Sequence, residues 1–386
     1  MRPGRAEIAG GGFGGLVAAA ALAERGWSVR LHERRGAIDA EGYGIAVQPN
    51  MMLIFRALGI AGEVIAGGAR IDRRDSLDGA GNVVLTRKTE RSPYRIDRRH
   101  IVRLLARRAA EAGAEIRLNS PVTGISPDGT VALGDDGRTG GDLIVLADGA
   151  GSSLRASLGL LRHQIWQRDG AVRVTIPRTE EEIAEDAVSG TVMIEAWADN
   201  RRVLYCPVND AENYVLLGSL TDDEAGKATP IDPDVWSRSF PGLRDFLVRV
   251  AADADWDEAR WAQFQTVRLE RWWKGRVAVL GDAAHAMPPY LAQGAGHAMM
   301  NALGLAVALD EEPDLSSAFR AWERRERPVT EHTQRWTRIY GNTIFLPRLL
   351  KRMSIAAERR IPWIGRQYLH AAHVVPTGCA HLAAGD

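Results

Sequence analysis

The chain has 386 residues, 45% of them hydrophobic and 25% charged, which is ordinary for a soluble globular protein and long enough for one large or two interleaved domains. Lys plus Arg and Asp plus Glu number 49 each, so no charge excess draws the chain to nucleic acid or an anionic membrane. Its two cysteines lack metal-ligand spacing and no apolar run approaches the roughly 20 residues that span a bilayer, so no disulfide framework, metal or membrane span is expected.

The N-terminus runs directly into a strand at Glu7-Ile8, which leaves no room for a signal peptide and makes the cytoplasm the expected location. Residues 6–9 read as a short buried strand, followed by the tight turn Gly10-Gly11-Gly12-Phe13-Gly14-Gly15. Leu16 to Arg25 is rich in Ala and Leu and predicts a helix that stops at Gly26. Ser28 to His32 alternates as a strand and reaches Glu33, completing a βαβ unit. Gly42 to Asn50 reads as a loop leading into a helix through Met51–Phe55, and residues from about 70 to 90 predict a hairpin around Asp78-Gly79. Ile101 to Ala112 predicts a helix, and the fully apolar run 143–147 a strand buried in a parallel sheet.

From about 171 to 265 short β-type runs separated by turn residues predict an antiparallel sheet inserted into the α/β framework. Val277 to Leu280 returns as a buried strand, and the chain reads as helical from Gly294 onward. The predicted fold is α/β: a Rossmann-type dinucleotide-binding domain with a parallel sheet, interleaved with an antiparallel-sheet domain, plus C-terminal helices.

Three segments carry the chemistry. In the first, Gly10 permits the turn, Gly12 lets the backbone approach a pyrophosphate, and Gly15 allows strand–helix packing. Phosphates then lie at the positive end of the next helix, at Phe13, while Glu33, with Arg34 beside it, ends the second strand where an acid accepts ribose hydroxyls. In the second and third, Asp148-Gly149 and Gly281-Asp282 each follow a buried strand, where parallel sheets hold ligands. Alone, either Asp could equally be a helix N-cap.

In this order the segments resemble the single-component FAD-dependent aromatic hydroxylases related to p-hydroxybenzoate hydroxylase, over roughly residues 5–340. Gly10, Gly12, Gly15 and Glu33 match the family's first motif. Asp148, Gly149, Ser152 and Arg155 match the second, and Gly281-Asp282-Ala283-Ala284-His285 with Pro289 the third. Arg98, opening a helix, resembles the arginine that touches the FAD pyrophosphate. Leu291 to Gly296 with Asn301 is similar to the pyridine-ring branch of that family, the 2-methyl-3-hydroxypyridine-5-carboxylate oxygenases: Ala292 and Asn301 stand where the wider family more often has Gly and an acid.

The resemblance implies FAD as cofactor, with NADH or NADPH as co-substrate and a flavin C4a-hydroperoxide as oxidant for a small aromatic acid, such as a hydroxylated N-heterocycle or a phenolic carboxylate. In the pyridine branch oxygenation is coupled to ring opening. Residues 1–70, 98–170 and 266–340 are expected to form the FAD-binding domain, 71–97 and 171–265 the substrate domain, and 341–386 a C-terminal helical segment. Pro289 and the backbone through Ala292, Gly294, Ala295 and Gly296 are expected to face the flavin. Arg202 and Tyr214, twelve residues apart, resemble the branch's substrate-binding Arg and Tyr. One pocket tyrosine of the branch is replaced near Arg73-Arg74, making Arg73 a further substrate candidate, and another falls on Trp261 or Phe264.

The expected partners are a small aromatic substrate and O2, the expected assembly a monomer or homodimer. His285 invites a general-base role but is better explained as part of the flavin motif, and Cys206 as a buried, inert thiol. A flavin-linked oxidoreductase of the same fold without oxygen insertion remains the alternative; one acting on unsaturated chains should have a continuously apolar pocket, not one with Arg202 and Tyr214.

Overall fold

The computed structural model describes residues 2–38, 44–88, 94–134, 137–257, 259–346 and 348–383. A six-stranded sheet has the order Trp273–Lys274, Val277–Val279, Leu143–Leu146, Arg5–Ala9, Ser28–His32, Glu115–Arg117. All its pairings are parallel except that of the Trp273–Lys274 edge strand. Leu143–Leu146 and Val277–Val279 are wholly buried, as strands covered on both faces must be. The helix Phe13–Ala23 lies buried over ten of its residues and packs against helices Arg98–Glu111 and Gly294–Glu311. Its alanines keep that packing close.

The second sheet has seven strands in the order Ala262–Leu269, Leu161–Pro177, Glu212–Leu220, Arg201–Pro207, Val192–Ala198, Arg73–Leu77, Val83–Lys88. Strand periodicity divides its two faces. One carries Val172, Val174, Ile176, Ala196, Val203, Val215 and Leu217, sealed by Trp236, Leu247 and Val250 from helices Pro233–Ser239 and Arg244–Asp253 and by Phe240 just after the first. In the other face, cross-strand neighbours Trp197, Arg202 and Gly218 lie in one row and Glu195, Leu204 and Leu216 in the next. That face is polar and aromatic, and it holds the cavity described below.

Several elements differ from expectation. Gly44–Val47 is a strand rather than loop, paired with Tyr94–Asp97, while Gly42 and Tyr43 lie outside the described residues. The second sheet reaches from Leu161 to Leu269, past both expected limits at 171 and 265. Tyr94–Asp97 belongs to a separate three-stranded sheet with Gly44–Val47 and Gly68–Arg70. The first helix begins at Phe13, because Gly12 already has the extended backbone of an N-cap. Leu315–Ile344 is one continuous helix that carries Pro328 inside it and crosses the expected boundary at 340. Among the described residues no helix is long and apolar enough to cross a membrane.

Candidate active site

The Gly-rich turn separates two kinds of glycine. Gly10 has φ +107°, and a side chain at Gly15 would put Cβ 1.9 Å from the Gly10 carbonyl oxygen. These two serve the protein's own packing. At Gly12 a Cβ would meet nothing within 4 Å, although the residue sits at the N-terminus of a helix that no side chain caps and no acid accompanies. Open space beside unpartnered helix N–H groups is where an anion binds. Glu33 stands next to it, accepting from the Gly11 amide at 2.8 Å and from the Arg35 amide at 3.1 Å; Arg34 is exposed. Arg98 stacks over the Phe13 ring at 5.0 Å, whereas Arg99 pairs outward with Asp97 at 3.2 Å.

Asp148 ends its strand with one buried carboxylate oxygen, Oδ1, lacking any hydrogen-bond partner. Burial pushes its carboxyl above the usual range, against the pull of Ser152, Arg155 and Arg34. Gly149 and Gly151 beside it also face open space. Asp282 is exposed, and the surrounding protein raises its carboxyl against the pull of the Arg98 charge. A Cβ on Gly294 would lie 3.9 Å from Asp282 Oδ1, which sets the N-terminus of helix Gly294–Glu311 at the same place. Arg155 ties the second motif to the third: its guanidinium donates to the Ala283 carbonyl at 3.4 Å, while its backbone amide donates to the Ser152 hydroxyl oxygen at 3.2 Å.

These residues fit FAD. The orphaned Asp148 oxygen, the exposed Asp282 carboxylate and the open cradle at Gly12, Gly149 and Gly151 supply acceptors and donors of the kinds a pyrophosphate and a polyhydroxyl chain need. The segment expected to face the ring follows. Pro289–Leu291 is a 3-10 turn, and Ala292 has φ +52°, ψ +38°, a left-handed conformation that glycine adopts more readily. Ala295 is half-buried, and Gly296 is hemmed in by Gln293, Asn50 and Met51.

His285 is buried, its imidazole pushed down to about 4 by burial, and Asn301 Nδ2 contacts its Nε2 at 2.8 Å. It is therefore neutral at ordinary pH. It belongs to a buried polar chain through Asn301 and Thr330 to His297, and is walled off beside Trp272. Cys206 is fully buried and burial raises its thiol.

On the polar face of the seven-stranded sheet lies a small pocket walled by Trp197, Arg202, Leu216, Phe264, Tyr290 and Phe345, with Asp169 and Asn200. Arg202 is buried over the Trp197 ring at 4.6 Å, and its guanidinium lies 2.5 Å from the Glu195 carboxylate. Glu195, only 1% exposed, also pairs with Arg74. Arg74 in turn donates to the Tyr340 hydroxyl at 3.2 Å.

Not every expected substrate contact meets here. Of the two aromatic candidates, Phe264 lines the cavity. Trp261 packs with the opposite, helix-covered face, donating to Ser219 Oγ at 3.0 Å beneath Lys227. Arg73 likewise points away and donates to Asp75 at 3.1 Å; its neighbour Arg74 faces the cavity side. One residue of register exchanges the two faces of a strand. Tyr214 shares the face of Arg202, four residues before Gly218, but is buried under Arg95 and against the Gly44 backbone rather than on the cavity wall. Asp169, Tyr290 and Glu195 escaped the sequence reading, which also passed over Arg74 in favour of Arg73. Only Glu195, a lone acid in an otherwise apolar strand, and Tyr290, next to Pro289, carried a local signal.

Fold and site together define a flavin-dependent oxidoreductase with a separate aromatic-lined pocket. The family described as FAD binding domain matches residues 5–318. The chain is 36% identical over 382 residues to the probable 2-heptyl-3-hydroxy-4(1H)-quinolone synthase of Rhodococcus erythropolis, covering 98% of each. It is 37% identical to the 2-heptyl-3-hydroxy-4(1H)-quinolone synthase of Mycobacteroides abscessus, covering 86% of this chain and 89% of that one. Among solved structures, the tetrameric form of 2-methyl-3-hydroxypyridine-5-carboxylic acid oxygenase superposes with a TM-score of 0.83 at 34% identity, over 97% of this chain and 98% of the other. The chain belongs to the FAD-binding family of aromatic-ring monooxygenases.

Proposed function

We propose that the chain inserts one atom of O2 into an uncharged N-heterocycle bearing a ring hydroxyl or oxo group, a 4-quinolone in the first instance, with NADH or NADPH as reductant. The observation that carries this reading is the Glu195–Arg202 pair. A buried guanidinium awaiting a substrate carboxylate would be left unmatched, and Arg202 is not: Glu195 already compensates it. The cavity then offers an aromatic box of Trp197, Phe264, Tyr290 and Phe345 to a flat ring, with few polar groups to orient it. The names of the Rhodococcus and Mycobacteroides relatives point to the same ring.

Bound FAD supplies the redox chemistry, accepting electrons from the nicotinamide and activating O2, which side chains cannot do. Gly12, Glu33, Arg98, Asp148, Asp282 and the Gly294 helix end would hold it. The chamber's own work is to stack the ring between its aromatic walls, keep water out and fix which carbon faces the oxidant. The reading is tested by purifying the yellow protein and measuring substrate-stimulated NADH and NADPH oxidation with 2-heptyl-4(1H)-quinolone, pyridine carboxylates and hydroxybenzoates, recording product mass. Stimulation by the quinolone, with one oxygen gained and the ring intact, is expected. Turnover of the carboxylates alone would overturn the uncharged-ring assignment.

A further inference from the structure

Tyr290 and Asp169 meet in the wall of the same chamber. The Tyr290 hydroxyl donates to Asp169 Oδ2 at 2.6 Å, and both residues are buried yet line the cavity. Neither position is an accident of loose packing. The Tyr290 ring is held edge-on to Phe264, with centroids 5.8 Å apart, and against the backbone of Gly341, where any Cβ would fall 2.3 Å from the ring. Asp169 sits in a break of the sheet ladder: residue 166 pairs with 265 and 170 with 263, so 167–169 oppose Phe264 alone. Such bulges re-aim side chains next to functional sites. Around the pair, Arg168 comes from the same strand and Arg202 from the strand two away. Glu195 and Tyr340 act on Arg202 in turn.

We infer that Tyr290 and Asp169 form the proton acceptor that ionises the bound ring before it is oxygenated. This rests on the monooxygenase reading of the cavity. The ring O–H or N–H bond breaks and its electron pair stays on the ring. The proton goes to the Tyr290 oxygen as the tyrosine passes its own to Asp169 Oδ2, so a neutral substrate and a carboxylate become a ring anion and a carboxylic acid. The hydroxy and oxo tautomers of a 4-quinolone lose this proton to one common anion, whose charge is shared with carbon 3 and makes that carbon the better nucleophile. The anion is then made inside the chamber, so no charged ring has to shed its water on entry. Catalysis should fall as pH drops through the Asp169 titration, because only the carboxylate accepts.

The test compares holoenzyme, Asp169→Asn and Tyr290→Phe, each checked for FAD content. 4-Hydroxyquinoline and 4-nitrophenol serve as probes; binding is read from the flavin spectrum and ionisation from the probe's own absorbance across pH. The native protein should bind the probes with their apparent pKa lowered, whereas both variants should bind them no more ionised than they are in free solution at the same pH. With 2-heptyl-4(1H)-quinolone, kcat should drop roughly 100-fold or more, with KM changed far less, and lose its acidic limb in Asp169→Asn. Unaltered probe ionisation and an unaltered pH profile in both variants would overturn the inference while leaving the monooxygenase reading intact. Failure of the native protein to bind either probe would overturn the substrate reading, and the dyad with it.

Discussion

The Glu195 carboxylate lies 2.5 Å from the Arg202 guanidinium, in a strand pair where Glu195 is almost wholly enclosed. It also holds Arg74, so one buried acid organises two cations on the chamber's floor. Glu195→Gln leaves both uncompensated, and loss of a partner from a buried ion pair costs about 3–5 kcal/mol. Denaturant unfolding of the variant should show a loss of that size. Its chamber should also gain affinity for aromatic carboxylates, measurable by flavin perturbation with 3-hydroxybenzoate. Unchanged stability would mean that Arg202 does not depend on Glu195.

Gly12 and Gly15 should respond in opposite ways to the same added methyl. Gly12→Ala projects into open space, so the variant should fold with nearly native stability but lose FAD. Gly15→Ala drives Cβ to within 1.9 Å of the Gly10 oxygen and should fail to fold. Flavin absorbance and circular dichroism together separate the two; a fully flavinylated Gly12→Ala would contradict the placing of the phosphates.

Ala292 holds a left-handed conformation, which costs a non-glycine residue about 1–2 kcal/mol. Ala292→Gly should relieve that strain at some cost in unfolded-state entropy, for a net gain of about 0.5–1 kcal/mol in urea unfolding. A destabilised variant would show that the methyl packs usefully at this turn.

His285 and His297 are kept neutral by burial, with imidazoles held near 4 and 3. The unfolded chain protonates them at about 6.5, so it binds more protons than the folded chain below that pH. Folding stability should be complete at neutral pH and decline as pH falls from about 6.5 towards 4, by at most about 1.4 kcal/mol per pH unit for each histidine. His285→Gln should flatten that slope in urea midpoints between pH 7 and 5, whereas an unchanged slope would place the effect elsewhere.

The flavin half of the site was legible because its logic is local. Gly10, Gly12 and Gly15 act within one turn, and Asp148 and Asp282 each stand shortly after an apolar strand, so the three segments taken in order indicate their place. The chamber was less legible, because its wall is set by sheet register across distant strands. Whether Arg73 or Arg74, or Trp261 or Phe264, faces the cavity depends on a parity fixed by pairing partners as distant as Val192 is from Arg73, and by the break near Asp169. Tyr214 shows the same limit: it lies on the expected face, yet the Gly44–Val47 strand, which reads as loop, brings Gly44 against it. The Arg202–Glu195 pair, by contrast, spans a tight hairpin whose Asp199-Asn200 turn, with positive φ at both residues, fixes the register locally.

The central claim is that the chain places an atom of O2 on an uncharged N-heterocycle. The most direct measurement is turnover of 2-heptyl-4(1H)-quinolone with NADH or NADPH under isotopically heavy oxygen gas, followed by mass spectrometry of the product. One heavy oxygen atom in an intact ring is the expected result. A product whose added oxygen comes from water, or nicotinamide oxidation that leaves the quinolone unaltered, would contradict the claim.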